Sequence, residues 1–313
     1  MSLKLFVQGR RIPFFNTQLN FNLEQLAHTF EVSIEPMAIT EPLSVEFTLS
    51  DLRIFKGSID KVSSETQSQQ YSMSLSGRSV SANMIDSTIT MDARYGQTLD
   101  KLMNDIVKRF GLTVRNDMTA NVLTPIDEFQ INGESPLDNF AQLAKEQGCL
   151  IVERDGVLVL EKPAQGLVQG FYLELGKNIE GLSASRDFTK QFREVEVRGQ
   201  WSEAHAVATN PAINSHRQCI IIADQLQDKA ACLARANYEH DFGIAKSLEV
   251  STTIPGLHSK LTGDAINRVI SVTDEKQGIK EAMLIKSVSL SASDSSAQTS
   301  LTLCRPFAQV SHV

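Results

Sequence analysis

Two segments near the middle of the chain share one pattern, and this pattern constrains the fold more than any other feature. Each opens with a hydroxyl residue, continues with apolar residues three and four apart, reaches a glycine and passes at once into an apolar run; the segments are 97–114 and 134–152. Such spacing is typical of one face of an α-helix, and a glycine after the last turn can take the left-handed conformation that ends a helix. The pattern therefore predicts helix, stop and strand, twice in succession.

The second copy carries the sharper signals. Pro136 suits the first helical position because its missing amide hydrogen would be unpaired there, and the Ser135 hydroxyl is expected to accept from first-turn amides. Gly148 is expected to end this helix. Asp155 and Gly156 then separate two apolar runs, which predicts a β-hairpin with a tight primed turn.

Short β-type segments flank this unit on both sides. Residues 2–90 and 166–304 contain runs of alternating or β-branched residues bounded by Asn, Pro, Gly and Ser. A helix over about 224–242, capped by Asp224, interrupts the second series. The stretch from Trp201 to Asn214 is expected to form a polar loop, and the polar stretches 63–70 and 291–298 are expected at hairpin tips.

These signals predict an α+β, mainly β chain with two small antiparallel β-barrel domains flanking a helix and hairpin α/β domain. The first barrel is expected over residues 1–90, the α/β unit with its two helix-strand repeats over 91–165, and the second barrel with its inserted helix over 166–313. At 313 residues, the chain is long enough for each unit to bury its own core.

The charge and hydropathy of the chain limit the kinds of partner it is expected to bind. The net charge is −7, and no run of Lys or Arg is present, which disfavours dedicated nucleic-acid binding because phosphate backbones require clustered cations. A weakly acidic protein surface would instead repel DNA, so that DNA could move past it without being held. No apolar stretch has the length of a membrane span or of a signal-peptide core, so we expect no membrane insertion by this chain and synthesis in a cytoplasm.

No catalytic or metal-binding motif is visible. The six histidines lack metal-ligand spacing and the four cysteines are scattered singly, at Cys149, Cys219, Cys232 and Cys304. Gly-x-Ser-x-Gly, a Walker loop and His-Glu-x-x-His are absent. A paired-carboxylate glycosidase stays open because its acids can come from distant segments, although one Trp and 6% aromatic residues suit a sugar-stacking cleft poorly. We expect no enzyme, no cofactor and no metal.

Arg78 has two interpretations. It follows Gly77 at the end of a predicted strand, and it either pairs with Asp86 or a neighbouring chain, or is an ordinary solvated arginine. The acidic residues Glu194 and Glu196 alternate on a predicted strand, so one face of that strand is either solvated or part of an interface.

Several short motifs, each occurring once, follow one another in a definite order along nearly the whole chain. The motifs are Gly77-Arg78-Ser79 with Met84-Ile85-Asp86, Thr98-Leu99, Gly133-Glu134-Ser135-Pro136 with a helix ending at Gly148, Gly156-x-Leu158-Val159-Leu160, the strand 192–200 ending in Gly199-Gln200, the Ala-rich helix 231–238, and the closing strands 285–290 and 299–306. This succession resembles the baseplate hub proteins of Mu-like phages, also called 43 kDa or P-type tail proteins.

The resemblance implies a structural and not a catalytic role. It implies a homotrimer at the centre of a contractile tail, whose two similar barrels per chain give a ring of six between the sixfold tail tube and the threefold spike, with DNA passing through. The implied location is the baseplate of the virion tail, assembled in the bacterial host cytoplasm. The candidate structural and interface residues are Gly77, Arg78, Asp86, Ser135, Gly148, Gly199 and Gln200.

Three alternatives remain open at the level of the sequence. A helix with a hairpin is also how small peptidoglycan-binding domains are built, so residues 91–163 are a candidate cell-wall binding module. The second alternative is a tail-associated cell-wall hydrolase. The third is the hub segment of a type VI secretion spike, which shares the expected architecture.

Overall fold

The computed structural model describes residues 2–67, 70–118, 123–164, 166–213, 216–223 and 226–306. Its first β region contains seven strands: β1 (Leu3–Val7), β2 (Arg10–Ile12), β3 (Phe14–Asn22), β4 (Thr29–Ile34), β5 (Ser44–Leu49), β6 (Leu52–Gln67) and β7 (Gln70–Ser79). They lie in the order β3-β4-β7-β6-β5-β1-β2 and pair antiparallel. Alternate side chains are buried, as in β4, where Phe30, Val32 and Ile34 enter the core.

The middle region has its own apolar core between helices and short strands. Its elements are α1 (Ala82–Ile85), β8 (Ile89–Gln97), α2 (Leu99–Val107), β9 (Thr113–Asn116), β10 (Ile126–Glu134), α3 (Pro136–Glu146), β11 (Leu150–Arg154) and β12 (Val157–Glu161). The predicted hairpin is confirmed as β11 and β12, with positive φ at both Asp155 and Gly156. Both predicted helix-strand repeats are present, and Gly111 and Gly148 adopt the expected positive φ after their helices.

The second β region completes the chain. Its elements are β13 (Leu167–Glu174), β14 (Leu182–Arg186), β15 (Glu194–Arg198), β16 (His205–Thr209), β17 (Gln218–Ile222), α4 (Lys229–Ala245), β18 (Leu248–Pro255), β19 (Val269–Asp274), β20 (Ile279–Ser293) and β21 (Ala297–Cys304). Strands β15 to β17 and α4 form a small module with a separate core, inserted between β14 and β18. Its base closes where the Asp187 amide donates to the Ser247 carbonyl at 3.0 Å.

The two β regions repeat one pairing order. Strands β1, β3, β4, β5, β6 and β7 correspond in turn to β13, β14, β18, β19, β20 and β21. In each set the strands lie side by side in the same spatial order: first, fourth, fifth, sixth, third and second. One pair differs in direction, since β1 and β5 are antiparallel whereas β13 and β19 are parallel. The duplication of the β regions is therefore a duplication of topology.

Strand β20 joins the two regions. One edge of β20 pairs with β21; along its other edge, the first half pairs with β19 and the second half with β3. A β-bulge between Ile285 and Ser287 separates the halves and lets the strand bend from one region into the other. The result is one sheet of 13 strands with a shared core, which is more strands than an open sheet of about 10 normally holds without curling.

The mainly β, α+β class is confirmed, whereas two separate closed barrels are not. The strand order of the large sheet runs from β14 to β2, and across the described ranges no pairing joins these two ends. The boundaries at 90/91 and 165/166 stay a prediction.

Three local expectations were wrong. Residues 205–209 form β16 inside the expected loop from Trp201 to Asn214, because Ala206 and Ala208 are buried on alternate positions. Helix α4 begins at Lys229 with the Asp228 side chain accepting from the Ala231 amide, and Asp224 lies outside the described residues. The stretch from Ser63 continues β6 to Gln67, paired with β7, so it is strand and not a tip; residues 68 and 69 lie outside the described residues.

Gly77 on β7, which pairs with Phe30 of β4 and Ile59 of β6, supplies a stability test. A Cβ atom on Gly77 would lie 2.0 Å from the Ser58 carbonyl oxygen and 2.7 Å from Cε1 of Phe30, so Gly77→Ala must displace backbone or core atoms. We expect Gly77→Ala to lower the free energy of unfolding by about 1–3 kcal/mol, measured by chemical denaturation. The control is Gly181→Ala, where the added Cβ meets no atom within 4 Å, and its change should stay within about 0.5 kcal/mol. Equal changes in both variants would contradict this explanation.

Candidate functional site

One face of the large sheet is covered mainly by short, uncharged polar side chains, and we call it the hydroxyl–amide face. It is the side of strands β3, β4, β7, β18, β20 and β21 opposite the shared core. One cross-strand row consists of Thr253, Ser300, Ser289, Asn20, Thr29 and Arg78, and the next of Gln298, Ser291, Gln18, Glu31 and Ser76. The face thus crosses from the second β region to the first without interruption at the β20–β3 seam.

Hydrogen bonds link neighbouring side chains of this face. Ser289 Oγ donates to Asn20 Oδ1 at 2.8 Å, and Gln18 Nε2 donates to Ser289 Oγ at 3.2 Å. The hydroxyls of Thr253 and Ser300 lie 3.0 Å apart. Because these side chains carry dipoles but no net charge, the two described rows contain no cation cluster of the kind that retains a phosphate backbone.

Arg78 lies at the margin of this face, and two carboxylates neutralise its charge. Its Nε donates to Asp60 at 2.6 Å, while Nη1 and Nη2 donate to the two oxygens of Asp86 at 3.0 and 2.5 Å. Both carboxylates raise the pKa of Arg78 through these bonds. The Arg78–Asp86 pair considered from the sequence is present, whereas Asp60 was missed because strand pairing across the β6–β7 bulge brings it there.

A second polar cluster lies where the middle region meets the first β region. Glu153 of β11 is 1% exposed and accepts from Ser79 Oγ at 2.5 Å and from Ser81 Oγ. His28 is also buried; its Nε2 donates to the Glu153 carbonyl oxygen at 3.1 Å, and its amide donates to Ser79 Oγ at 2.9 Å. Because these groups are buried and bonded to one another, they fix the β11–β12 hairpin against the first sheet.

The other side of the same hairpin holds the second β region. Buried Arg154 donates through Nη2 to Glu161 Oε1 and to the Ile266 carbonyl, both at 2.9 Å. Asn267 Nδ2 donates to the same Glu161 oxygen and to the Lys162 carbonyl, both at 2.8 Å. The hairpin is therefore bonded to both β regions, and we call the two clusters together the hairpin junction.

Burial shifts two pKa values in this junction in ways that matter for stability. Burial, together with the nearby Arg154 charge, lowers the pKa of His28 to about 4, so this imidazole is neutral at pH 7. Burial raises the pKa of Glu153, against the opposing effect of the Ser79 and Ser81 hydrogen bonds. The two groups act with opposite sign on the pH dependence of folding.

The seven candidate residues named from the sequence do not form one site. Gly77, Arg78 and Asp86 lie together at the end of β7 and the start of the middle region. Ser135 and Gly148 bracket α3, and the Ser135 hydroxyl makes no capping bond, contrary to expectation; Asn139 Nδ2 instead donates to the Ser135 carbonyl at 3.0 Å. Their roles as interface residues stay a prediction.

Gly199 and Gln200 lie far along the chain, in the inserted module. The amide of Gln200 donates to the Leu226 carbonyl at 2.8 Å, and a Cβ atom on Gly199 would lie 2.2 Å from that carbonyl oxygen. A glycine is thus required where the end of β15 meets the segment that leads into α4. No signal in the sequence pointed to the hairpin junction, because its partners come from three distant segments.

The described residues show no cluster built for metal or thiol chemistry. Within the described ranges, no group of three or more His, Cys, Asp or Glu side chains could hold a metal ion. Cys149 and Cys304 line a cavity of about 420 Å³ beside α3 and α4, where burial raises the pKa of each thiol to about 12. Both thiols are therefore protonated at neutral pH and poor nucleophiles. No helix among the described residues is both long enough and apolar enough to cross a membrane.

Comparison with known proteins gives a consistent result. No family model matches the sequence. The baseplate hub protein gp44 of Escherichia phage Mu is 24% identical over 264 residues, which cover 76% of this chain and 68% of the phage protein. The 43 kDa tail protein of prophage MuSo2 from Shewanella oneidensis has the same fold, with a TM-score of 0.85, 23% identity, and coverage of 97% of this chain and 98% of that one. Both matches support the resemblance of this chain to Mu-like phage baseplate and tail proteins.

Two further solved structures share the fold of this chain. A tail protein from Neisseria meningitidis MC58 matches with a TM-score of 0.82 and 18% identity, covering 97% of this chain and 96% of that one. An Escherichia coli component of the type VI secretion system matches with a TM-score of 0.64 and 14% identity, covering 98% of this chain and 77% of that one. The comparisons thus indicate similarity to phage tail and baseplate hub proteins, and the same fold occurs in a component of the type VI secretion system.

The shifted pKa of His28 predicts an acid sensitivity that one substitution removes. Between pH 6.5 and about 4 the unfolded chain binds a proton at this position and the folded chain does not, so acidification favours unfolding. The His28 contribution to the unfolding free energy should fall by up to about 1.4 kcal/mol per pH unit in this window.

Denaturation at pH 7, 6, 5 and 4.5 checks this prediction. His28→Gln should show a shallower loss of stability on acidification than the natural sequence, whereas His216→Gln, at an exposed position, should leave the slope unchanged. Parallel slopes for the natural sequence and His28→Gln would show that the junction histidine is not responsible.

Proposed function

We propose that this chain is the baseplate hub protein of a contractile phage or prophage tail. In this proposal three chains form a ring that joins the sixfold tail tube to the threefold central spike, inside the baseplate of a virion assembled in the bacterial host cytoplasm. The role is structural, which is consistent with the relatives being named as tail and baseplate components.

The observation that carries the proposal is the repeated topology of the two β regions. Each chain contains two sets of six strands with one pairing order, joined in one sheet through β20 and β3. Three such chains present six similar units, and like units are what a ring needs in order to meet a sixfold partner on one side and a threefold partner on the other. A single-unit protein would need six copies to meet the tube and would leave the threefold spike unmatched.

The hydroxyl–amide face suits the wall of a channel through which DNA passes. In the rows described above, its charged members are Glu31 and Arg78, and Arg78 is paired with two aspartates. A DNA backbone that slides over such a surface finds few cations to bind, so it is not held. The acidic wall expected from the net charge is thereby refined to a wall that is mostly uncharged.

The type VI secretion hub is the second candidate, favoured by the shared fold of the Escherichia coli component. The sequence match to the Mu hub protein and the higher TM-score of the prophage tail protein favour the tail. The genes beside this one decide between the two, because sheath and tube genes of a phage differ from those of a secretion system.

Solution mass tests the ring. Light scattering of the purified chain over a concentration series should show a species of three chains, and electron microscopy should show rings. The ring should not retain duplex DNA at physiological salt, since the described rows of the hydroxyl–amide face contain no clustered cations. A chain that stays monomeric at every concentration, even when mixed with the spike protein of its own gene cluster, would contradict the proposal.

A further inference from the structure

We call the pairing of β20 with β3 the internal seam. The strands equivalent to β20 and β3, which are β6 and β14, do not pair with each other in the described part of the single chain. Beyond its bulge, β20 pairs with β3 from Ser287 opposite Asn22 to Ser293 opposite Asn16. Strand β6 is the equivalent of β20 and carries an equivalent bulge between Ile59 and Lys61. Beyond that bulge, however, the backbone of residues 61–64 pairs only with β7 among the described residues, because β5 pairs with β6 no further than Ser58.

The equivalent of β3 is also half paired. Strand β3 pairs with both β4 and β20, whereas its equivalent β14 pairs only with β18 among the described residues. Among the described residues, residues 61–64 of β6 and strand β14 thus each present an edge without a backbone partner, and these two edges correspond to the two sides of the seam within the chain. Free edges carry unpaired amide and carbonyl groups and are ready templates for strand addition.

We infer that β6 of one chain pairs antiparallel with β14 of a second copy, in the register of the internal seam. This inference rests on the proposed ring and specifies its interface. The equivalences follow from the ladders: Leu19, Phe30, Gly77 and Ile59 lie in one row, and Ala184, Val250, Leu303 and Ile285 lie in the matching row.

The register is fixed by these equivalences. The seam pair Leu290–Leu19 becomes Ser64 opposite Ala184 of the second copy. The seam pair Ser289–Asn20 becomes Ser63 opposite Ser185, and the pair Ser287–Asn22 becomes Lys61 opposite Asp187. A shift by one residue would turn every side chain of one strand to the wrong face, so this register is the testable content of the inference.

The chemistry of the two edges is complementary on the outer side of the sheet in this register. Lys61 and Asp187 are both exposed and carry opposite charges, and they would lie directly opposite each other. Ser63 and Ser185 would extend the hydroxyl–amide face from one chain to the next. On the other side, Val62, which is 36% exposed in the single chain, would lie opposite the exposed Arg186 and beside the half-buried Ala184, which already packs against the shared core.

The contact is head-to-tail, since a different edge of each chain is used. Such contacts close into rings when the rotation between copies allows it and otherwise form filaments. Every chain in a closed ring uses both of its free edges, which would remove them as sites of aggregation.

Disulfide cross-linking tests the register. In a Cys219→Ser background, which removes the half-buried native thiol, Ser63→Cys with Ser185→Cys places two cysteines directly opposite each other across the interface. The matched control is Ser63→Cys with Ser183→Cys, which is displaced by two residues, at a Cα separation of about 7–8 Å that a disulfide does not span without backbone movement. After mild oxidation, denaturing gels should show at least about tenfold more linked chains for the first pair, with three chains as the largest species.

The outcomes separate this interface from the proposed function. If light scattering shows a trimer but neither pair links, or the control pair links better, the interface is wrong and the ring stands. Linked ladders longer than three chains would support the strand pairing and contradict the closed ring. A monomer without cross-links at any concentration would overturn both.

A charge exchange gives an independent check. Lys61→Glu would set a glutamate opposite Asp187 and should raise the concentration of half-assembly about tenfold, and adding Asp187→Lys should restore it. Lys101→Glu, on an exposed face of α2, is the matched control and should leave assembly unchanged. An unchanged midpoint in Lys61→Glu, or no rescue by the second substitution, would count against the register.

Discussion

The pairing of β20 with β3 is the interaction on which the rest of the structure depends. It connects strands that lie at opposite ends of the chain, and it turns two similar β regions into one sheet over one core. The bulge between Ile285 and Ser287 makes this possible, because a single straight strand could not serve both β19 and β3. Without this seam the hydroxyl–amide face would be broken in the middle.

The hairpin junction gives the middle region its fixed place on that sheet. Glu153 and Arg154 are neighbours on one strand, yet their side chains reach different β regions, because successive residues of a strand point to opposite sides. Breaking one partner of such a buried network leaves the others unpaired in a medium of low polarity, which costs more than the lost bond itself. The middle region is therefore held by hydrogen bonds and ion pairs in addition to apolar contact, and its orientation is specified by them.

The sequence predicted what local chemistry decides and missed what distant partners decide. Asp155-Gly156, Gly111 and Gly148 were interpreted correctly because turn and helix-stop signals act within a few residues. The N-terminus of α4 was placed at Asp224 instead of Asp228, since two aspartates offer the same cap. The seam, the second partner of Arg78 and the hairpin junction depend on segments far apart in the chain, and no periodicity records which strand pairs with which.

The inserted module makes the two otherwise matching β units unequal. Strands β3 and β4 are joined by the short segment 23–28, whereas the equivalent strands β14 and β18 are separated by residues 187–247, which hold β15 to β17 and α4. In a ring of three chains, β units that carry the inserted module would therefore alternate with β units that lack it. A partner that contacts only the sheet would find six similar binding positions around the ring, whereas a partner that binds the inserted modules would find three. One polypeptide would thereby display two symmetries on two of its surfaces.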